Sequence, residues 1–209
     1  MRFFIVLFLA AAILSGCSSP DENSLPLHAP GLQTPRVTGL AVTLDTGPTP
    51  IAVWGTLNEP PESSGPVNPG GGHLPGQLPA SYAFSHPFPN PSDGAVAVKF
   101  ALPRDARVSL WLVKARWAGD PDMDVAPING ATVPAPANGA VRVLFRNEVL
   151  PTGYHIAGWD MNDNQGNPLA SGFYRIYFEA DTFSCWRDVL VFRSWDELPA
   201  GLQQILLHR

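Results

Sequence analysis

The amino-acid sequence predicts an all-β protein whose folded part is an antiparallel β-sandwich of about seven strands. Two observations carry this. Between residues 82 and 193, apolar and polar side chains alternate with a period of two in roughly five to seven short runs. Between those runs stand clusters of Gly, Pro, Asn and Asp, the residues that turn a chain.

The first segment is an address. Arg2 supplies a positive charge, and residues 3–14 form an unbroken apolar run. That run is too short to cross a bilayer comfortably and fits the core of a signal peptide. It ends in Leu14-Ser15-Gly16-Cys17, where small residues precede a cysteine. This pattern resembles the lipobox of bacterial lipoproteins. The resemblance implies removal of residues 1–16 and lipid attachment at Cys17, which becomes the new N-terminus. The first expected partner is therefore the lipid bilayer, reached through an acylated Cys17. Each buried CH₂ contributes about 0.8 kcal/mol, so several acyl chains make a lasting anchor. Ser18 and Ser19 follow the cysteine, with no Asp next to it. In Gram-negative lipoproteins that Asp often retains the protein on the inner membrane, so the resemblance points to the outer membrane.

Residues 17–81 read as a largely disordered tether. Pro and Gly make up about a third of this stretch, far above ordinary usage. Runs such as Pro60-Pro61 and Gly70-Gly71-Gly72 hold neither a helix nor a central strand. Within it, residues 37–44 and 51–57 are rich in β-branched side chains, and Asp45-Thr46-Gly47-Pro48 between them is turn chemistry. A hairpin over 37–57 is expected only if it docks, because an isolated hairpin is marginal in water.

From Tyr82 the strands follow in order. Val96, Val98, Phe100 and Leu102 share one face of the first, and Val108, Leu110 and Leu112 one face of the second. Val141, Val143 and Phe145 alternate with Arg142 and Arg146, and His155, Ala157 and Trp159 with Tyr154 and Ile156. Tyr174, Ile176 and Phe178 alternate with Phe173, Arg175 and Tyr177. The last run, residues 185–192, is apolar on both faces in its second half. Phe100, Trp159 and Phe178 are the bulky members of the expected core. Residues 116–140 interrupt the pattern and read as a long loop. Residues 194–209 form a tail in which Ser194-Trp195-Asp196-Glu197 resembles a capping box ahead of a short helix.

Several motifs occur together in this domain. Pro87-Phe88-Pro89-Asn90-Pro91 leads in, and Leu150-Pro151-Thr152-Gly153-Tyr154-His155 precedes Trp159-Asp160. Gly166-Asn167-Pro168-Leu169-Ala170-Ser171-Gly172-Phe173-Tyr174 follows. Their order and spacing resemble the Ig-like domain of the flagellar hook-capping protein and its relative, the C-terminal sorting module of type IX secretion cargo. The resemblance spans residues 82–193 and implies an Ig/fibronectin-III-like sandwich.

Composition narrows the function. With 13 Lys and Arg against 18 Asp and Glu, the net charge is −5, which argues against a nucleic-acid partner. Two cysteines exclude a disulfide-stapled scaffold and a Cys-rich zinc site. Asp120, Asp122 and Asp124 alternate in the long loop, as do Asp160, Asn162 and Asn164 in a turn. Neither has the glycine placement or the bidentate Glu of an EF-hand, so both read as solvated loop and turn formers and no metal site is expected. Cys185 reads as a buried, inert thiol. His155, the one histidine within the domain's strands, reads as a packing or hydrogen-bonding residue rather than its base. Trp111, Trp117 and Trp186 read as packing, with an aromatic platform for sugar as the alternative. No catalytic residue and no cofactor is expected. The sequence therefore predicts a non-enzymatic lipoprotein presenting a sandwich to an envelope or extracellular protein partner. A secretion-sorting module and a carbohydrate-binding lipoprotein are the alternatives.

Overall fold

The computed structural model describes residues 34–65, 77–119 and 139–207. Cys17 and Asp120, Asp122 and Asp124 lie outside the described residues. The strands are β1 (Arg36–Val37), β2 (Gly39–Leu44), β3 (Gly47–Gly55), β4 (Ala83–Phe84), β5 (Val96–Leu102), β6 (Ala106–Lys114), β7 (Arg116–Trp117), β8 (Ala140–Leu150), β9 (Gly153–Trp159), β10 (Gly172–Ala180) and β11 (Phe183–Val191). A 3₁₀ turn (Trp195–Glu197) and helix α1 (Ala200–Leu207) complete them. The fold is all-β, as expected.

Two main sheets face each other, one ordered β11-β10-β6-β8 and the other β4-β5-β9. Their pairings are antiparallel. Alternation does the sorting: Val96, Val98, Phe100 and Leu102 of β5 enter the core with Leu110 and Leu112 of β6 and Ile176 and Phe178 of β10. Phe178 bridges the layers, its ring 4.9 Å from Phe84 and 5.1 Å from Phe100. Each such side chain contributes about 1.5–3 kcal/mol by leaving water. Gly153 and Gly172 open β9 and β10 at φ 143° and 147°, a backbone region closed to other residues.

Both faces of β10 and β11 are buried, and the outer cover explains the two-sided apolar pattern of β11. The hairpin β2–β3 packs Leu40 and Val42 against Leu190, and Leu198 and Leu202 close the same cluster from the tail. Further along, Trp111, Tyr177 and Trp186 form a second outer cluster. Trp54 of β3, Trp117 of β7 and Phe173 of β10 meet as a triangle of rings, with Trp54 and Trp117 only 4.1 Å apart.

Residues 34–65 thus belong to the folded body, although composition assigns them to the tether. The hairpin over 37–57 is present. Its docking rests on distant partners: Asn90 exchanges backbone hydrogen bonds with Thr43, and its side-chain amide donates to the Ala41 carbonyl. The stretch 56–65 then runs as a strap along the sandwich. The Ser64 N–H donates to the Tyr82 carbonyl, and the Phe84 N–H to the Glu62 carbonyl. The segment expected as a loop over 116–140 begins instead as β7, which pairs in parallel with β1.

Candidate functional site

The sequence-predicted residues are not brought together into a reactive centre. Cys185 is fully buried in β11, and burial pushes its thiol up to about 11. Its sulfur lies 3.5 Å from the Pro61 carbonyl of the strap. His155 stacks on Phe100 at 5.0 Å, with Nε2 2.8 Å from the Pro151 carbonyl. Asp160 accepts from the N–H and the side-chain amide of Asn162, and Asp163 from the N–H groups of Gln165 and Asn167. Those bonds hold both carboxylates below the ordinary range. The turn thus uses its acids to shape itself. Among the described residues no group of three or more His, Cys, Asp or Glu side chains could hold a metal ion. Trp111 and Trp186 are buried, and Trp117 is engaged with Trp54 and Phe173.

The most site-like feature is a buried ionic seam where the strap meets the edge of the larger sheet. β11 projects Arg187 toward the core side and Asp188 toward the outer side, both almost free of solvent. Arg175 stands directly opposite Asp188 on β10 and binds it through two bonds of 2.7 and 2.8 Å. The same guanidinium lies 3.6 Å from the centre of the Trp186 ring and donates to the Arg36 carbonyl. Arg187 donates to the carbonyls of Pro60, Trp186 and Phe84. The strap supplies the acids. Glu59 accepts from the Asp188 N–H at 2.9 Å and lies 3.7 Å from Arg187 Nε.

His86 completes the seam from the lead-in to β5. Its Nδ1 is 3.1 Å from Glu59, and its Nε2 is 3.1 Å from Glu62. Protonated, the ring places a positive charge at ion-pair distance from both carboxylates, although Nδ1 and Glu59 Oε2 are not aligned for a hydrogen bond. Burial opposes that charge, but the two glutamates outweigh it and hold the imidazole above its ordinary value. His86 in turn holds Glu62 below the usual carboxylate range. Burial lifts the Asp188 carboxyl to about 7 against the pull of Arg175. Three acids therefore face three bases in a water-poor strip. Through these contacts the seam fastens the strap to β11 and to the lead-in of β5.

Sequence reasoning passed over this seam. Arg187-Asp188 inside an otherwise apolar strand was the available signal, because Arg and Asp are rarely buried without partners. Glu59 and Glu62 gave no signal, since Pro60 and Pro61 made their surroundings read as spacer. No protein-family model, no curated protein and no solved structure matches this chain.

Proposed function

We propose that the chain is a lipid-anchored envelope protein that presents a non-catalytic Ig-like sandwich for protein recognition or assembly. One observation carries the anchor: Arg2, the apolar run of residues 3–14 and Leu14-Ser15-Gly16-Cys17 stand in the order a lipoprotein signal needs. Ser18 after the cysteine favours the outer membrane. The recognition role is supported by a body whose polar interior is spent on structure. The Cys185 thiol is sealed, His155 is packed against Phe100, and the seam acids are paired. The motif order over residues 82–193, similar to the hook-capping Ig-like domain, favours assembly over catalysis.

Metabolic labelling with an alkyne fatty acid in a Gram-negative host tests the anchor. The full chain should carry the label and sediment with the outer membrane. Cys17→Ala should lose the label and accumulate with residues 1–16 still attached. Unlabelled wild-type protein in the soluble fraction would remove the anchor from this account.

A further inference from the structure

Sheet edges are templates for further strands, and natural chains usually blunt them. Four edges bound the two main sheets, and three are closed. β11 is capped by the chain itself: Asp188 N–H donates to Glu59, Leu190 N–H to the Asn90 side chain, and Ser92 exchanges bonds with Leu190 and Phe192. β4 is covered by the strap through Ser64 and Glu62. β8 is interrupted by three register shifts against β6, carries Arg142, Arg146 and Glu148, and is met by Asn164 at Val141 and Val143. The outlying strand β3 bears Pro48 and Pro50, which cannot donate.

Among the described residues, no such covering is seen on β9 at Ile156 or Gly158. The strand holds no proline, no Lys, Arg, Asp or Glu and no register shift, and among the described residues it pairs only with β5. The direction of its backbone groups follows from β5. Ala97 and Lys99 direct their amides and carbonyls away from β9, to Phe88 and Ser85. Val98 and Phe100 therefore bond β9 through Ala157 and His155. Ile156 and Gly158 then direct theirs outward, along the open edge. On the outer face Ile156 is 63 % exposed, an apolar side chain in water beside that edge.

We propose that β9 is a self-association edge: two copies pair antiparallel about a two-fold axis through Ile156, joining two three-stranded sheets into one of six. This names a partner for the recognition body proposed above and rests on that reading. A second copy is the favoured occupant because the edge is complementary to itself. Strand β9 runs from Gly153 to Trp159, so only the register centred on Ile156 overlaps all of it. That register makes Ile156 a hydrogen-bonded pair with its own copy and covers two exposed isoleucines with each other. It sets Gly158, which has no side chain, opposite residue 154 of the other copy. The strand carries no charge to repel its copy, whereas charged edges discourage such pairing.

Sedimentation of the full chain in mild detergent tests the pairing, together with oxidation by copper–phenanthroline of an Ile156→Cys variant. Hydrogen-bonded antiparallel neighbours sit about 5.5 Å apart at Cα, within disulfide reach. The wild type should sediment as a dimer, and Ile156→Cys should give a covalent dimer that wild type and Val149→Cys do not. Ile156→Lys should weaken dimerisation at least tenfold without lowering the melting temperature. Mixing Ile156→Lys with Ile156→Glu should restore it. A wild type that is monomeric at tens of micromolar overturns the proposal, as does a dimer indifferent to all these changes. Fatty-acid labelling of the same preparations separates the two readings: a labelled monomer overturns the edge alone, and an unlabelled dimer overturns the anchor alone.

Discussion

His86 makes the attachment of the strap depend on pH. Its imidazole sits between Glu59 and Glu62, and its folded pKa lies above the ordinary 6.5. A base whose pKa is raised by folding stabilises fully below its unfolded value. That stability fades as pH climbs through the folded one. The wild type should therefore lose melting temperature above pH 6.5 relative to His86→Gln, whose curve lacks this component. A difference between the two that stays flat from pH 5 to 9 would show that the ring does not titrate on unfolding. Arg187 is the other sensitive residue. Arg187→Met strips three backbone carbonyls of their donor and leaves Glu59 and His86 without the neighbouring cation. Breaking a buried pair from one side costs about 3–5 kcal/mol, which urea denaturation should resolve. At this scale the sequence was informative where chemistry is local. Cys185 and His155 were readable as packing residues because each lies in a strand with alternating apolar neighbours. The seam was not readable, because His86, Glu59 and Arg187 are far apart in the chain and meet only through the fold.

The elements divide in the same way. β5, β6, β9 and β10 were legible because one face of each is apolar at every second position, and a sheet with one buried face imposes that period. The second cover of β11 was legible only as an anomaly, its apolar residues on both faces. What fills that outer face is decided elsewhere, by Leu40 and Val42 of the hairpin and Leu198 and Leu202 of the tail. A hairpin this short does not persist alone, and α1 spans only eight residues, below the length at which isolated helices hold. Each therefore draws its stability from the cluster they share with Leu190 of β11. Leu202→Ala removes the one fully buried side chain of α1 and should cost about 2–5 kcal/mol. Hydrogen exchange should then speed up in β2 and β3 together with α1, while β6 and β10 stay protected. Faster exchange confined to α1 would mean that the hairpin stands without it.

For the whole molecule, the folded body exceeds the period-two region. Residues 82–193 contain both main sheets, yet two of their four edges are finished by chain that lies outside that range. Glu59 caps the Asp188 amide, and the strap covers β4. Removing residues 34–65 would also uncover Leu190 and leave Arg187 with fewer acceptors, since Pro60 is one of them. Composition could not locate this boundary: Pro and Gly report what a segment cannot do alone, not what it does when docked. A fragment of residues 82–193 should therefore aggregate, or melt roughly 10 °C or more below residues 34–207, because about 3–5 kcal/mol of seam is lost. The longer piece should unfold in one transition monitored by tryptophan emission, with Trp54 on the hairpin and Trp111 in the sheet changing together. Equal melting of the two pieces would make the strap a passenger, and the pH dependence assigned to His86 would disappear with it. A lower-melting but soluble fragment that now dimerises through β11 would show why the chain spends its proline-rich segment on that edge and leaves β9 open.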